Sequence, residues 1–232
     1  MPPLLDNGER ERLQEVLAAR GVDAALAGRL AQYGALLLEA NRSTNLTGAQ
    51  SPEDLAGHLL DSLTLVPYVK TPLADIGSGG GLPAIALAIA AGADVTLIEA
   101  TRKKAAFLER TARELHVHAR VVAQRAELAG RDPALREAFD TATARAVASA
   151  PAVLELTVPF LRLGGRALLQ RGTLEPRERE AVVDAAPMLG ARLAEEVRLE
   201  GDRRILIVEK VTPTPARFPR RVGIPEKRPL CF

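Results

Sequence analysis

Apolar positions in the first forty residues recur at helical spacing. Leu13, Val16 and Leu17 share one face over residues 8–20, and Ala27, Leu30, Ala31, Gly34, Leu37 and Leu38 share one over 23–40. A polar break, Asn41-Arg42-Ser43-Thr44-Asn45-Leu46-Thr47-Gly48, precedes a third helix. Ser51-Pro52-Glu53-Asp54 starts that helix with a capping hydroxyl, a proline at the first position and two early acids. Its predicted buried stripe is Leu55, Leu59, Leu63 and Val66. Beyond residue 71 short apolar runs alternate with helical stretches. A brief apolar segment, Pro72-Leu73-Ala74, is followed by helix 82–91, strand 94–99, helix 102–115, a strand near 119–123, a helix near 125–137 and strand 139–144. Helix 150–161, strand 165–170 and helix 175–188 come next. Two final strands, near 192–200 and 204–211, flank a hairpin turn at Glu200-Gly201-Asp202-Arg203. This alternation predicts an α/β fold, a mostly parallel Rossmann-like sheet with helices on both faces, a final antiparallel hairpin and an N-terminal helical extension. The expected organisation is an extension over 1–70 packed on the core, a ligand-binding core over 71–211, and a tail over 212–232.

The run Asp75-Ile76-Gly77-Ser78-Gly79-Gly80-Gly81-Leu82-Pro83 reads as strand, glycine turn and helix start. Glycines let the backbone take positive φ and come close to a ligand that a Cβ would repel. The free amides of the following helix N-terminus suit a polar ligand. A dinucleotide fingerprint needs glycine at the first, third and sixth positions, but counting from Gly77 the sixth is Leu82. Asp75, two residues before the first glycine, would repel a pyrophosphate and suits a ligand bearing an amino group. S-adenosylmethionine (SAM) is the common cofactor of that kind, and an acid followed by G-x-G-x-G resembles the first motif of SAM-dependent methyltransferases. In open α/β sheets ligands lie beyond the carboxyl ends of the strands. The second strand ends in Glu99, 18 residues after Gly81, where a carboxylate can accept both ribose hydroxyls. NAD enzymes use the same device, so Glu99 alone does not discriminate. Gln124-Arg125-Ala126-Glu127 follows the third strand, and Thr143-Ala144-Arg145 ends the fourth with Arg145 at the cleft.

Composition adds three limits. Hydrophobic residues make up 47%, enough for a sizeable core, while the apolar run from Leu82 to Ala93 is too short to cross a bilayer. The first residues carry no signal-peptide pattern, and the single cysteine, Cys231, excludes an internal disulfide; a cytoplasmic protein is expected. His58, His116 and His118 form no metal-ligand spacing with it, so no metal is expected. Net charge is only +2, but the tail from Thr212 carries Arg217, Arg220, Arg221, Lys227 and Arg228 against Glu226 alone. A basic tail of +4 on a nearly neutral body points to a polyanionic partner.

Further motifs point one way together. They are Asn41-Arg42-x-x-Asn45-Leu46-Thr47, His58-x-x-Asp61-Ser62-Leu63, Arg125-Ala126-Glu127 and Thr143-Ala144-Arg145-Ala146. To these the tail adds Pro219-Arg220-Arg221-x-Gly223-x-Pro225-x-Lys227-x-Pro229-Leu230. With the glycine loop, the chain from about residue 38 onward resembles the bacterial small-subunit rRNA guanine-N7 methyltransferases, the glucose-inhibited division protein B (RsmG) type. Two positions depart from the family pattern: Ala84 follows Pro83 where glycine is usual, and Gln170-Arg171-Gly172 replaces a lysine-glycine pair. The resemblance implies SAM contacts at Gly77, Leu82, Glu99, Ala100, Thr101, Ala126, Glu127 and Arg145. The charge and glycine arguments add Asp75 and Gly79. It implies as substrate a guanine in the decoding-region loop of 16S rRNA, free or in a small-subunit precursor, acted on by a monomer. Arg171, Arg217, Arg220, Arg221, Lys227 and Arg228 are the basic residues expected to meet the RNA.

The N7 of guanine has an in-plane lone pair and no proton at neutral pH, so its methylation needs no general base and relies on alignment. The chain offers no catalytic triad and no Asp/Asn-Pro-Pro-aromatic run after the fourth strand, the mark of amino-methylating enzymes. Asn41, Asn45, His58 and Asp61 are candidates to orient the base; His58 and Asp61, three apart on a helix, equally suit a structural pair. Two alternatives remain. One is a small-molecule SAM methyltransferase, for which the basic tail is unnecessary. The other is a non-enzymatic RNA-binding protein, against which the 3% aromatic content argues.

Overall fold

In the computed structural model the chain is described over residues 7–145 and 148–231. Three helices come first: α1 (Asn7–Ala19), α2 (Ala24–Asn41) and α3 (Pro52–Leu63). Asp23 caps α2 by accepting from the amides of Ala25 and Leu26 at 2.9 and 3.2 Å, and Ser51 caps α3 through the Asp54 amide at 3.2 Å. Leu55 and Leu59 are fully buried, as the stripe predicts, whereas Leu63 and Val66 are only half-buried.

The sheet has seven strands in the order β3-β2-β1-β4-β5-β7-β6. They are β1 (Leu73–Ile76), β2 (Val95–Ile98), β3 (Ala119–Val122), β4 (Phe139–Thr143), β5 (Leu161–Arg171), β6 (Ala191–Arg198) and β7 (Arg204–Lys210). The pairings from β3 through β5 are parallel, and β7 runs antiparallel to both its neighbours. Strands β1 and β2 are buried at every position, which fits a sheet covered on both faces. On one face α1, α2 and α3 pack with α4 (Ala84–Ala91) and α5 (Arg102–Glu114). The other face carries α6 (Ala126–Ala129), α7 (Ala150–Thr157), α8 (Pro176–Met188) and the tail, which ends in α9 (Ile224–Lys227).

Three elements differ from the sequence reading. The helix near 125–137 is one turn, α6, because the chain breaks at Gly130 and turns through Asp132-Pro133, with the Asp132 carboxylate accepting from the Ala134 amide at 2.9 Å. The helix over 150–161 closes at Thr157 and tightens into a 3₁₀ turn, Val158–Phe160, around Pro159. Strand β5 begins at Leu161, four residues early, where Leu161 pairs with Phe139 before a register shift.

The tail also differs from an extended segment presenting five free cations. Its prolines keep most of it out of helix and sheet, so many of its carbonyls need other donors. Arg136 donates to the carbonyls of Thr214 at 2.7 Å and Phe218 at 2.8 Å, and Arg131 donates to those of Arg217 at 3.0 Å and Pro219 at 2.6 Å. Phe218 and Leu230 are buried in the core. Arg220 turns inward: its guanidinium grips the fully buried carboxylate of Glu155 at 2.6–3.0 Å, and its amide donates to the same group at 2.7 Å. The expectation of Arg220 as an RNA-facing cation is therefore corrected, because Glu155 already holds that group. Arg217, Arg221, Lys227 and Arg228 are exposed. Removing one partner of a buried pair leaves the other charge uncompensated. Arg220→Ala is expected to destabilise the fold by about 3–5 kcal/mol, read as a fall in Tm on the order of 10 °C in calorimetry. A melt within 2 °C of wild type would return Arg220 to the surface.

Candidate active site

The switch in strand order lies between β1 and β4, and the loops after those strands open a cleft of about 470 Å³. One wall is the glycine loop, with Gly77, Ser78, Gly79, Gly80 and Leu82. The loop is tied to the end of β2, where the amides of Gly77 and Ser78 donate to the Ile98 carbonyl at 2.8 and 3.2 Å. Gly79 has φ +54°, and a Cβ built there meets nothing closer than 3.8 Å, so its side facing the cleft leaves room for a ligand. Gly80 is required for another reason. A Cβ there would lie 2.8 Å from Leu37 Cδ1 and 3.0 Å from the Leu46 carbonyl oxygen.

The opposite wall comes from the N-terminal extension: Asn45, Thr47, His58 and Asp61 face the glycine loop, with Arg145 and Lys104 completing the lining. Asn41 does not line the cleft. Its side-chain oxygen accepts from the amides of Leu46 and Thr47 at 2.8 and 3.0 Å and its nitrogen donates to the Ala49 carbonyl, so it shapes the loop that carries Asn45. Asp61 pairs with Arg203 from the β6–β7 turn, and the Asp61 carbonyl accepts from Gln170 at 2.7 Å. Arg145 donates to the His58 carbonyl at 3.3 Å. Burial, reinforced by Arg145, holds the His58 imidazole below its usual pKa despite Asp61 and Asp54, so it is uncharged at neutral pH.

Asp75 lies beneath the loop, buried to 1%. Thr143 donates to its Oδ1 at 2.8 Å, while Oδ2 has no hydrogen-bond partner. Burial pushes this carboxyl up to about 6 against the opposing pull of Thr143, Ser78 and Arg145. Glu99 accepts from the Gly79 amide at 2.9 Å and the Thr101 amide at 2.7 Å, one bond to each oxygen, and each oxygen keeps a further lone pair. Ala100 and Thr101 lead into α5, and both are exposed. Ala126 and Glu127 open α6. The buried Glu127 carboxylate accepts from the Gly223 amide of the tail at 2.7 Å. A SAM molecule fits this set: an orphaned buried carboxylate for its amino group, a glycine with free space, and a strand-end carboxylate with spare acceptors for the ribose. A depression of about 510 Å³ between α5 and β3 is lined by Glu109, Arg113 and His116 and lies apart from this apparatus.

Sequence reasoning did not single out Tyr33, Lys104 or Arg203. Tyr33 is fully buried and donates to the Gly80 carbonyl at 2.8 Å, and burial pushes its phenol far up. A tyrosine among the alanines and leucines of the α2 buried face was the available signal. Lys104 stands one turn into the helix after Glu99, and nothing local marks it. Arg203 could be placed only by knowing where the hairpin turn lands.

A model of the rRNA small subunit methyltransferase G family matches residues 27–206. A protein of Rubrobacter xylanophilus named ribosomal RNA small subunit methyltransferase G is 41% identical over 238 residues, covering 95% of this chain and 91% of its own. One of the same name from Chloroflexus aggregans is 44% identical over 182 residues, covering 75% of this chain and 76% of its own. Among solved structures, an O-methyltransferase from Bacillus cereus in complex with SAH superposes with a TM-score of 0.54 at 20% identity, over 75% of this chain and 89% of that one. A Burkholderia thailandensis 1,6-didemethyltoxoflavin-N1-methyltransferase gives 0.52 at 16%, over 78% and 90%. At such identities these two establish a shared fold.

The folded Asp75 holds its proton more tightly than the unfolded chain, whose carboxyl sits near 3.8. Its contribution to stability is therefore full below pH 3.8 and is lost as pH rises to about 6. Asp75→Asn, which keeps an acceptor for Thr143, should raise the stability of the ligand-free protein at pH 7.5 by about 1–2 kcal/mol. The gain should vanish near pH 4. Calorimetric melts at the two pH values check this, and an equal effect at both would remove the charge from the explanation.

Proposed function

We propose that this chain, which belongs to the rRNA small subunit methyltransferase G family, transfers a methyl group from SAM to N7 of a guanine in the decoding-region loop of 16S rRNA. The observation that carries the reading is a cleft with two unlike walls. The glycine loop, with Asp75 beneath it and Glu99 beside it, suits the cofactor; the polar wall of Asn45, His58 and Asp61 opposite suits a base edge. Bound SAM supplies a methyl group activated by its sulfonium. Asp75 offers its unpaired Oδ2 to the amino group, and Gly77, Gly79 and Leu82 shape the methionine site. Glu99 takes the ribose, and Ala100, Thr101, Ala126 and Glu127 frame the adenine. Arg145, held at the His58 carbonyl, fixes α3 against the end of β4. No residue has to remove a proton from N7, so orientation and exclusion of water carry the rate. An uncharged His58 can hydrogen-bond the base without repelling the methyl donor. The same reading places the protein where small subunits are assembled, in the cytoplasm.

Nucleoside mass spectrometry of 16S rRNA and of small subunits, after incubation with the protein and labelled SAM, tests the assignment. Label in 7-methylguanosine supports it; label in another nucleoside, or none, rejects it.

Gly79→Val should weaken SAM binding more than a hundredfold, because a branched side chain at φ +54° would fill the open side of the loop. Calorimetric titration reads this, with circular dichroism confirming the fold. Wild-type affinity in the variant would displace the cofactor from this loop.

At saturating substrates the transfer rate should be flat from roughly pH 6.5 to 8.5, as no enzyme base titrates in the step. The KM for SAM should rise below pH 6 as Asp75 takes up its proton. A rise in the saturated rate of slope near one, centred at neutrality, would instead assign a base, with His58 the first candidate.

A further inference from the structure

A second cavity, of about 170 Å³, adjoins the cleft and shares Asp61 and Arg145 with it. The rest of its polar lining comes from the end of β5, with Gln170 and Arg171, from the β6–β7 turn, with Arg203, and from the start of β7, with Arg204. Four guanidinium groups from three parts of the chain meet there against one lining carboxylate, Asp61. Three of the four are steadied by carboxylates. Arg171 lies 3.3 Å from Glu178, Arg204 lies 2.6 Å from Glu196, and Arg203 pairs with Asp61. Arg145 makes no ion pair with any described residue.

These contacts leave donors over. Of six buried side-chain polar atoms without a partner among the described residues, three belong to this lining: Arg171 Nε, Arg204 Nε and Gln170 Oε1. Buried donors without acceptors cost stability, as do cations gathered in one place. A ligand with several anionic oxygens relieves both, and the planar guanidinium fork is matched to phosphate. Gln170 Oε1 is an acceptor, suited to a sugar hydroxyl beside that phosphate.

We propose that this cavity is a phosphate subsite, which holds a backbone phosphodiester of the RNA strand whose guanine enters the adjoining cleft. The proposal rests on the rRNA reading above and adds where the strand is held. An enzyme that acts on a base takes it out of the stack, and contacts to flanking phosphates then set its register. A phosphate site that shares Asp61 and Arg145 with the base cleft fixes that register directly. The subsite lies at the carboxyl ends of β4 and β5, and no residue of the basic tail lines it.

The test compares wild type, Arg203→Gln and Arg203→Lys on one decoding-loop RNA fragment, with binding measured at several salt concentrations and SAM calorimetry on each protein. Arg203→Gln should lower RNA affinity about fivefold at 0.1 M salt and flatten the slope of log affinity on log salt by about 0.7. Arg203→Lys should recover most of that slope, and SAM affinity should stay within about twofold of wild type. In a second arm the phosphodiesters flanking the target guanine become uncharged methylphosphonates. Wild type should then lose at least as much affinity as Arg203→Gln loses on the charged strand, and on the uncharged strand Arg203→Gln should cost little beyond wild type. An unchanged salt slope, or equal losses from Arg203→Gln on charged and uncharged strands, overturns the proposal. A subsite for free phosphate would appear as a lost response of Arg203→Gln to millimolar inorganic phosphate in thermal melts, with an unchanged RNA slope, and that also overturns it. Should Arg203→Gln melt early, Arg204→Gln at the adjoining start of β7 carries the same comparison. Methylation by wild type in the same assay keeps the two readings apart: its absence counts against the rRNA substrate, not against the subsite.

Discussion

Helix α2 presses on the glycine loop so closely that Gly80 has no room for a Cβ, with Leu37 on one side and the Leu46 carbonyl on the other. Tyr33 adds a buried hydrogen bond to the Gly80 carbonyl, and the core that contains Leu13, Leu30 and Leu59 runs on into Ile85 and Leu97 without a break. The N-terminal helices thus hold the backbone of the loop rather than merely covering it. The same helices carry the second wall of the cleft, since Asn41 fixes the loop bearing Asn45, and α3 bears His58 and Asp61. A methyl donor and an acceptor base must be aligned to a fraction of an ångström. Both walls of this cleft are built from one packed unit, which suits that demand.

The charges around the cleft are arranged at a cost in stability. Asp75 is buried with one oxygen unpartnered, and burial depresses the pKa values of Arg145 and Arg171. None of these groups is placed where folding alone would put it. Each has capacity that a ligand can use: an acceptor beneath the loop, and donors at the neighbouring cavity. Such local departures from good polar satisfaction, surrounded by a well-packed sheet, are where a bound ligand would add partners.

Much of this was legible in the sequence because the informative signals were local. Ser51-Pro52 marked the start of α3, the Asp75–Pro83 run marked the strand-loop-helix unit, and Gly201 marked the hairpin turn. Asp75 and Gly77 were singled out from the glycine run, and Glu99 and Arg145 by walking the strand ends, a rule that depends on topology alone. What escaped depends on tertiary contact. Apolar periodicity continued the helix at 126 toward residue 137, but Arg131 and Arg136 are turned to the tail's carbonyls, and no window of sequence contains both partners. Gly80 was not distinguished from the other glycines of the run, although its neighbours are Leu37 and Leu46. Arg203 reaches Asp61 from 142 residues away.

The tail shows how a charge pattern divides once it is folded. Five basic residues in a proline-rich segment suggested one polyanion-binding arm. In the structure the arm is a strap whose carbonyls are satisfied by Arg131 and Arg136, whose Phe218 and Leu230 enter the core, and whose Arg220 closes on Glu155. The strap also reaches the segment after β3, because the Gly223 amide donates to the carboxylate of Glu127 at the start of α6. That carboxylate is fixed by the tail rather than by its own helix. The tail therefore braces the start of α6. Its four exposed cations, Arg217, Arg221, Lys227 and Arg228, are carried on a fixed frame at defined positions and not as a loose cloud of charge.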